Sequence, residues 1–158
     1  MQRTVSYSRT ILSQIMQISM ANSAGNIHGG EIMKIMDSAA GAAAKRHARC
    51  PVVTARVDEL EFMTPVHVGD LIICTAELTF VGRTSMEVLV TVEVENLQEE
   101  APPTAALTGY FTMVAIGPDG RPKPVPGLIP ETEVEKRRYE ERRKIYLQRK
   151  QAASSTKE

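Results

Sequence analysis

The sequence predicts an α+β domain in which an antiparallel sheet wraps a long central helix, and three observations carry that prediction. Between Gly30 and Arg46 the apolar residues Ile32, Ile35, Met36, Ala39 and Ala43 recur at helical spacing, while Met33, Gly41 and Ala44 continue around an adjoining face beside Asp37. So apolar a helix is buried on more than one side. Beyond it the period changes from helical to alternating and stays alternating through several segments, as in a meandering sheet. One further alternating segment precedes the helix.

That early segment runs from Ile11 to Met20, where Ser13, Gln14, Gln17 and Ser19 interrupt the apolar residues as in a half-buried strand. After the helix, Val52 to Phe62 is β-rich, and Leu71 to Val81 alternates Ile72, Cys74, Ala76, Leu78 and Phe80 with a more polar face. Gly82-Arg83 interrupts the pattern. Met86, Val88, Val90, Val92 and Val94 then point one way, with Glu87, Thr91, Glu93 and Glu95 opposite, which is the clearest strand of the chain. Glu99 to Pro103 is a polar connection, Thr104 to Ile116 returns as a strand, and Gly117-Pro118-Asp119-Gly120 turns. The prolines at 122, 124, 126 and 130 then break regular structure, so the core is expected to end near Ile116. Glu131 to Lys150 reads as a charged helix with acids early and Arg142, Arg143, Lys144, Arg149 and Lys150 late, as the helix dipole favours. Such a helix is solvated, with Val134, Tyr139, Ile145, Tyr146 and Leu147 as its docking anchors, and Gln151 to Glu158 is expected to fray. The expected organisation is one domain over residues 1–126, followed by residues 127–158 as linker, charged helix and tail.

Composition narrows the function. Lys+Arg and Asp+Glu each number 19 and aromatic residues make up 4%, so nothing favours nucleic acid or an anionic membrane surface. No run approaches the roughly 18 apolar residues of a membrane span. Cys50 and Cys74 lack metal-type spacing and read as buried, reduced thiols of a cytoplasmic protein, and His28, His47 and His67 form no ligand set, so no metal is expected.

Asn26-Ile27-His28-Gly29-Gly30 leads directly into the helix. Paired glycines let backbone amides approach a ligand, and the first N–H groups of a helix have no intrahelical acceptors, so they can polarise a carbonyl oxygen. Asp37 lies about 10 Å further along the axis, in the second turn, among Ile, Met and Ala with few obvious partners. Taken singly, the glycines fit an ordinary loop and Asp37 fits a solvated acid; taken together they read as a site.

Four motifs in register, Asn26 to Gly30, Met36-Asp37-Ser38-Ala39-Ala40-Gly41, Thr64 to Asp70 and Val81-Gly82-Arg83-Thr84-Ser85-Met86, resemble the cytosolic acyl-CoA hydrolases of the hotdog fold. The resemblance covers about Ser8 to Pro126. It implies hydrolysis of acyl-CoA to a fatty acid and CoA with no cofactor, CoA being part of substrate and product. It carries the family's acid onto Asp37, as base or nucleophile, and its asparagine onto Asn26, with Gly29 and Gly30 binding the oxyanion. His28, Arg83, Thr84 and Ser85, and more weakly Arg121 and Lys123, are the candidate substrate-binding residues. It also implies a side-by-side homodimer, commonly assembled into a hexamer, with sites in the clefts between subunits. Asn26 and Asp37 are eleven positions apart across a helix start, so a two-fold partner is the natural way to bring them together. Other chemistries fit the fold: an acyl-CoA-binding or regulatory module without catalysis, or a dehydration that would use His28.

Overall fold

In the computed structural model, which describes residues 1–155, the chain runs β1 (Gln2–Thr4), α1 (Val5–Ser8), β2 (Thr10–Ile15), a 3-10 turn (Ile18–Met20), α2 (Gly29–Ala48), β3 (Val52–Phe62), β4 (Leu71–Val81), β5 (Ser85–Glu95), β6 (Thr104–Ala115), β7 (Gly127–Ile129) and α3 (Glu133–Ser155). The five long strands form one antiparallel sheet in the order β2-β4-β5-β6-β3. α2 packs on one face of it, and the alternation read from the sequence supplies the contact: Ile72, Cys74, Ala76, Val88, Val90 and Ala115 meet Met36, Ala39, Ala40, Ala43 and Ala44, all fully buried. Each large aliphatic side chain removed from water in this layer stabilises the fold by roughly 1.5–3 kcal/mol. Small alanines let the helix axis lie close to the sheet. Burial pushes the Cys74 thiol up to about 12, so it is an inert packing group.

Four expectations change. The first strand stops at Ile15, because Met16 leaves the ladder, buries its side chain and donates its N–H to the Asp70 carbonyl, and a 3-10 turn follows. The helix continues past Arg46 to Ala48 and ends on Arg49 in the left-handed region (φ 56°), whose N–H donates to the Lys45 carbonyl. The core does not end near Ile116: β7 pairs in parallel with β1, and Leu128 is buried. Finally, α3 stays helical through Ser155, with Ser154 and Ser155 hydroxyls donating to the Gln151 carbonyl; the rest of the expected frayed tail lies outside the described residues.

α3 crosses the face of the sheet opposite α2. Tyr139 and Tyr146 pack on Phe80, with ring centroids 5.1 Å away in both cases. Arg142 is buried between Glu87 and Glu59 and lies 3.6 Å from the Tyr110 ring centroid. The helix is therefore solvated on one side only. Val134 and Leu147, expected as anchors, are exposed. On its solvated side Glu140 lies 3.8 Å from Arg143, one turn along the helix.

Candidate functional site

The loop before α2 is built by Asn22. Its side-chain oxygen accepts from the N–H groups of Ala24 (3.0 Å) and Asn26 (3.2 Å), and its own N–H donates to the Asn26 carbonyl (2.8 Å). Gly25, at φ 87°, makes the turn possible. His28 is the residue before the helix: its carbonyl accepts from Glu31 and Ile32, and its side chain is exposed and caps nothing. α2 thus begins at Gly29, leaving the N–H groups of Gly29 and Gly30 without intrahelical acceptors. Asn22, Asn26 and Gly29 line a cavity of about 430 Å³ with Phe62, Thr64 and Leu107. A Cβ on Gly29 would stand 2.8 Å from the Phe62 ring, so only glycine lets this ring close over the helix start.

Asp37 lies elsewhere. It opens on a second cavity, of about 390 Å³, with Gly41, Lys45, Val52, Thr54 and Met113. The sequence suggested an acid buried without partners; in the chain Asp37 is exposed and its Oδ1 accepts a 2.6 Å hydrogen bond from the Thr54 hydroxyl. A bulge in β3 makes that contact. The register with β6 slips between Thr54 and Arg56, so Thr54 turns to the α2 face while Arg56 turns to the α3 face, where it lines a third cavity with Phe80, Tyr146 and Arg149. Without the extra residue, period-2 alternation would put both on one face.

The candidate substrate-binding residues divide. Ala115 donates to the Thr84 carbonyl (3.0 Å), Lys123 to the Ala115 carbonyl (2.9 Å) and Val125 to the Arg83 carbonyl (2.9 Å), which gathers Arg83, Thr84 and Lys123 at one end of the sheet. In register, Ser85 pairs with Val114 and Val114 with Val53, so the turn lies two strands, about 10 Å, from the strand that carries Thr54. Ser85 itself faces the third cavity, under α3. Arg121 sits across the following turn, its carbonyl accepting from Gly117. Arg83, Arg121 and Lys123 are exposed and make no ion pair among the described residues. Among the described residues no three His, Cys, Asp or Glu side chains converge as metal ligands would.

Thr54 and Asn22 were missed in the sequence. Nothing local marks Thr54, because its role depends on a bulge. Asn22 carried a signal, an asparagine opening a turn that ends in glycine.

A family model described as Thioesterase superfamily matches residues 24–101. The cytosolic acyl coenzyme A thioester hydrolase of Mus musculus is 40% identical over 151 residues, covering 93% of this chain. The chain spans only 39% of that relative's length. A crystal structure of an apo-hexameric acyl-CoA thioesterase superposes with a TM-score of 0.90 at 38% identity, covering 96% of this chain and 97% of the other. Acyl-CoA hydrolase from Staphylococcus aureus, solved with butyryl coenzyme A and coenzyme A, superposes at 0.84 with 30% identity, over 99% and 92% of the two chains. It has also been solved with an aspartate, a threonine or an asparagine replaced by alanine.

Proposed function

This chain belongs to the Thioesterase superfamily, among the hotdog-fold acyl-CoA thioester hydrolases, and we propose that it hydrolyses fatty acyl-CoA to free fatty acid and CoA in the cytoplasm, the location named for its mammalian relatives. The observation that carries the reading is Asp37, held by Thr54 at the wall of an open cavity. Asp37 takes a proton from water as the oxygen attacks the thioester carbonyl. The C=O electrons move onto oxygen, where N–H groups at the Gly29-Gly30 helix start stabilise the charge. The oxyanion then collapses, the C–S bond breaks, and the CoA thiolate recovers the proton.

Within one chain Asn26 and Asp37 line different cavities, which favours a site completed by a second copy. β3 is the edge beside Asp37, and its outer side is unpaired with Val53, Val57 and Phe62 exposed. Side-by-side pairing along this edge would bring the partner's loop to Asp37. Hexamers have been solved for relatives, and a trimer of such dimers is the assembly proposed here.

The asparagine is reassigned within this proposal. In the Staphylococcus aureus enzyme the replaced asparagine precedes the replaced aspartate by fifteen positions, and the threonine follows it by seventeen. Here those spacings from Asp37 fall on Asn22 and Thr54. With its oxygen occupied by two backbone N–H groups, Asn22 keeps its amide N–H₂ free to donate toward substrate, and Asn26 supplies one of the groups that hold it. Arg83, Thr84 and Lys123 would take the phosphates of CoA. The direct test is thiol release from acyl-CoAs of graded chain length by the purified protein. Release that depends on Asp37 supports the assignment; tight acyl-CoA binding without release would make the chain a binding module.

A further inference from the structure

We infer that the corner where α1 meets the C-terminal end of α2 binds a phosphoryl group, held between Arg3 and Arg49 beside the Tyr7 hydroxyl. Three guanidinium N–H groups converge on that one oxygen: Arg3 Nη1 at 2.9 Å, Arg49 Nε at 3.1 Å and Arg49 Nη2 at 2.9 Å. Both guanidinium groups also lie over the Tyr7 ring, 4.7 and 5.4 Å from its centroid. A phenolic oxygen has two lone pairs, so the donors outnumber what it can accept. Two cations have been drawn to a neutral acceptor and face each other across it.

No carboxylate balances them. Among the described residues Arg3, Arg46 and Arg49 enter no ion pair. Arg46 spends its donors on the Arg9 carbonyl (2.7 Å) and the Thr10 hydroxyl (3.1 Å), Arg3 also reaches the Arg46 carbonyl (3.1 Å), and Glu131 on the neighbouring segment accepts from Ser6 (3.3 Å). The local excess of positive charge acts on the titratable groups nearby. Hydrogen bonding from Arg49 holds the Tyr7 phenol below its ordinary range, and Arg3 adds to the burial that lowers His47.

The donors match a tetrahedral, triply acidic-oxygen ligand better than a planar carboxylate. Arg49 presents its Nε and Nη2 as a fork, Arg3 adds Nη1 while its Nη2 donates to the Met1 sulfur at 3.4 Å, and the Tyr7 hydroxyl proton, which has no acceptor among the described residues, is a further donor. Tyr7 is 40% exposed, so the corner is open to a ligand. The phosphoryl group could be free phosphate or the phosphate monoester of a nucleotide.

Calorimetric titration of the full chain with inorganic phosphate, and separately with adenosine 3′,5′-bisphosphate, tests this. Saturable binding of at least one is expected, weakened about tenfold or more by Arg49→Met and by Arg3→Met, less by Tyr7→Phe, and only partly restored in Arg49→Lys, which keeps the charge but not the fork. Binding of phosphate alone identifies the free anion; much tighter binding of the bisphosphate identifies a nucleotide. Heat that Arg83→Met removes comes from the turn between β4 and β5, and only the heat lost in both Arg3→Met and Arg49→Met belongs to this corner. No heat with either probe, or heat that survives Arg49→Met but not Arg83→Met, overturns the inference.

Discussion

α2 and α3 lie on opposite faces of one sheet and are held there by different forces. α2 buries Met36 and a run of alanines against aliphatic strand residues, and its exposed acid, Asp37, hydrogen-bonds among the described residues only to the Thr54 hydroxyl. α3 docks through Arg142, Tyr139 and Tyr146, with Arg149 lying 3.2 Å from Asp58. Apolar packing lets α2 carry an acid whose charge is not consumed by a salt bridge, whereas Arg142, the most buried charge on α3, is already paired with Glu59 and Glu87. The proposed chemistry therefore sits on α2, and α3 braces the other face of the sheet.

The sharpest way to break that contrast is to change one side chain on each helix. Asp37→Asn should lower turnover of acyl-CoA by at least about a hundredfold while the thermal melt stays near that of the parent, since an amide cannot take the proton from water. Arg142→Ala should do the reverse. It leaves Glu87, nearly buried, without its partner and should cost about 3 kcal/mol in denaturant unfolding, with turnover per folded molecule almost unchanged. Arg142→Met, which refills the volume but not the charge, should cost less than Ala. A large fall in turnover from Arg142→Met with normal stability would move chemistry onto α3.

Smaller effects sharpen the picture on the α2 side. Thr54→Val removes the hydrogen bond to Asp37 at nearly constant volume and should lower turnover about tenfold with little change in the Michaelis constant. His47 gives the mildest signal. It is fully buried with Nε2 2.8 Å from the Pro126 carbonyl, and burial lowers its folded-state pKa. As pH falls through about 6.5 the unfolded chain takes up a proton that the folded chain refuses, so stability should decline there and be fully present above it. His47→Gln should flatten that part of the stability profile.

The same contrast explains what the sequence disclosed. α2 and strands β4 to β6 were legible because burial on a regular element leaves a periodic apolar trace, as Met86 to Val94 shows. The glycine turn and Asp37 stood out for the same reason, being exceptions to that trace. α3 was legible as a helix but not as a docked one, because Arg142 reads as a solvent charge until Glu59 and Glu87 are seen around it. Thr54 was invisible: its inward direction comes from a bulge, and one inserted residue leaves no local mark. Asn22 and Asn26 both suit the turn, and choosing between them took the hydrogen bonds around Asn22 and the spacing of the residues replaced in the Staphylococcus aureus enzyme.

Sharing of the site between two copies is measured directly by subunit exchange. An Asp37→Ala chain is mixed with an Asn22→Ala chain, and with Asn26→Ala as the parallel case, under conditions that allow subunit exchange, each parent being inactive alone. Random pairing makes half the dimers mixed, and each mixed dimer holds one cleft with both residues intact, so activity should recover to at most about a quarter of the parent value. No recovery despite demonstrated exchange would contradict the shared site and place the asparagine and Asp37 in the same subunit's cleft.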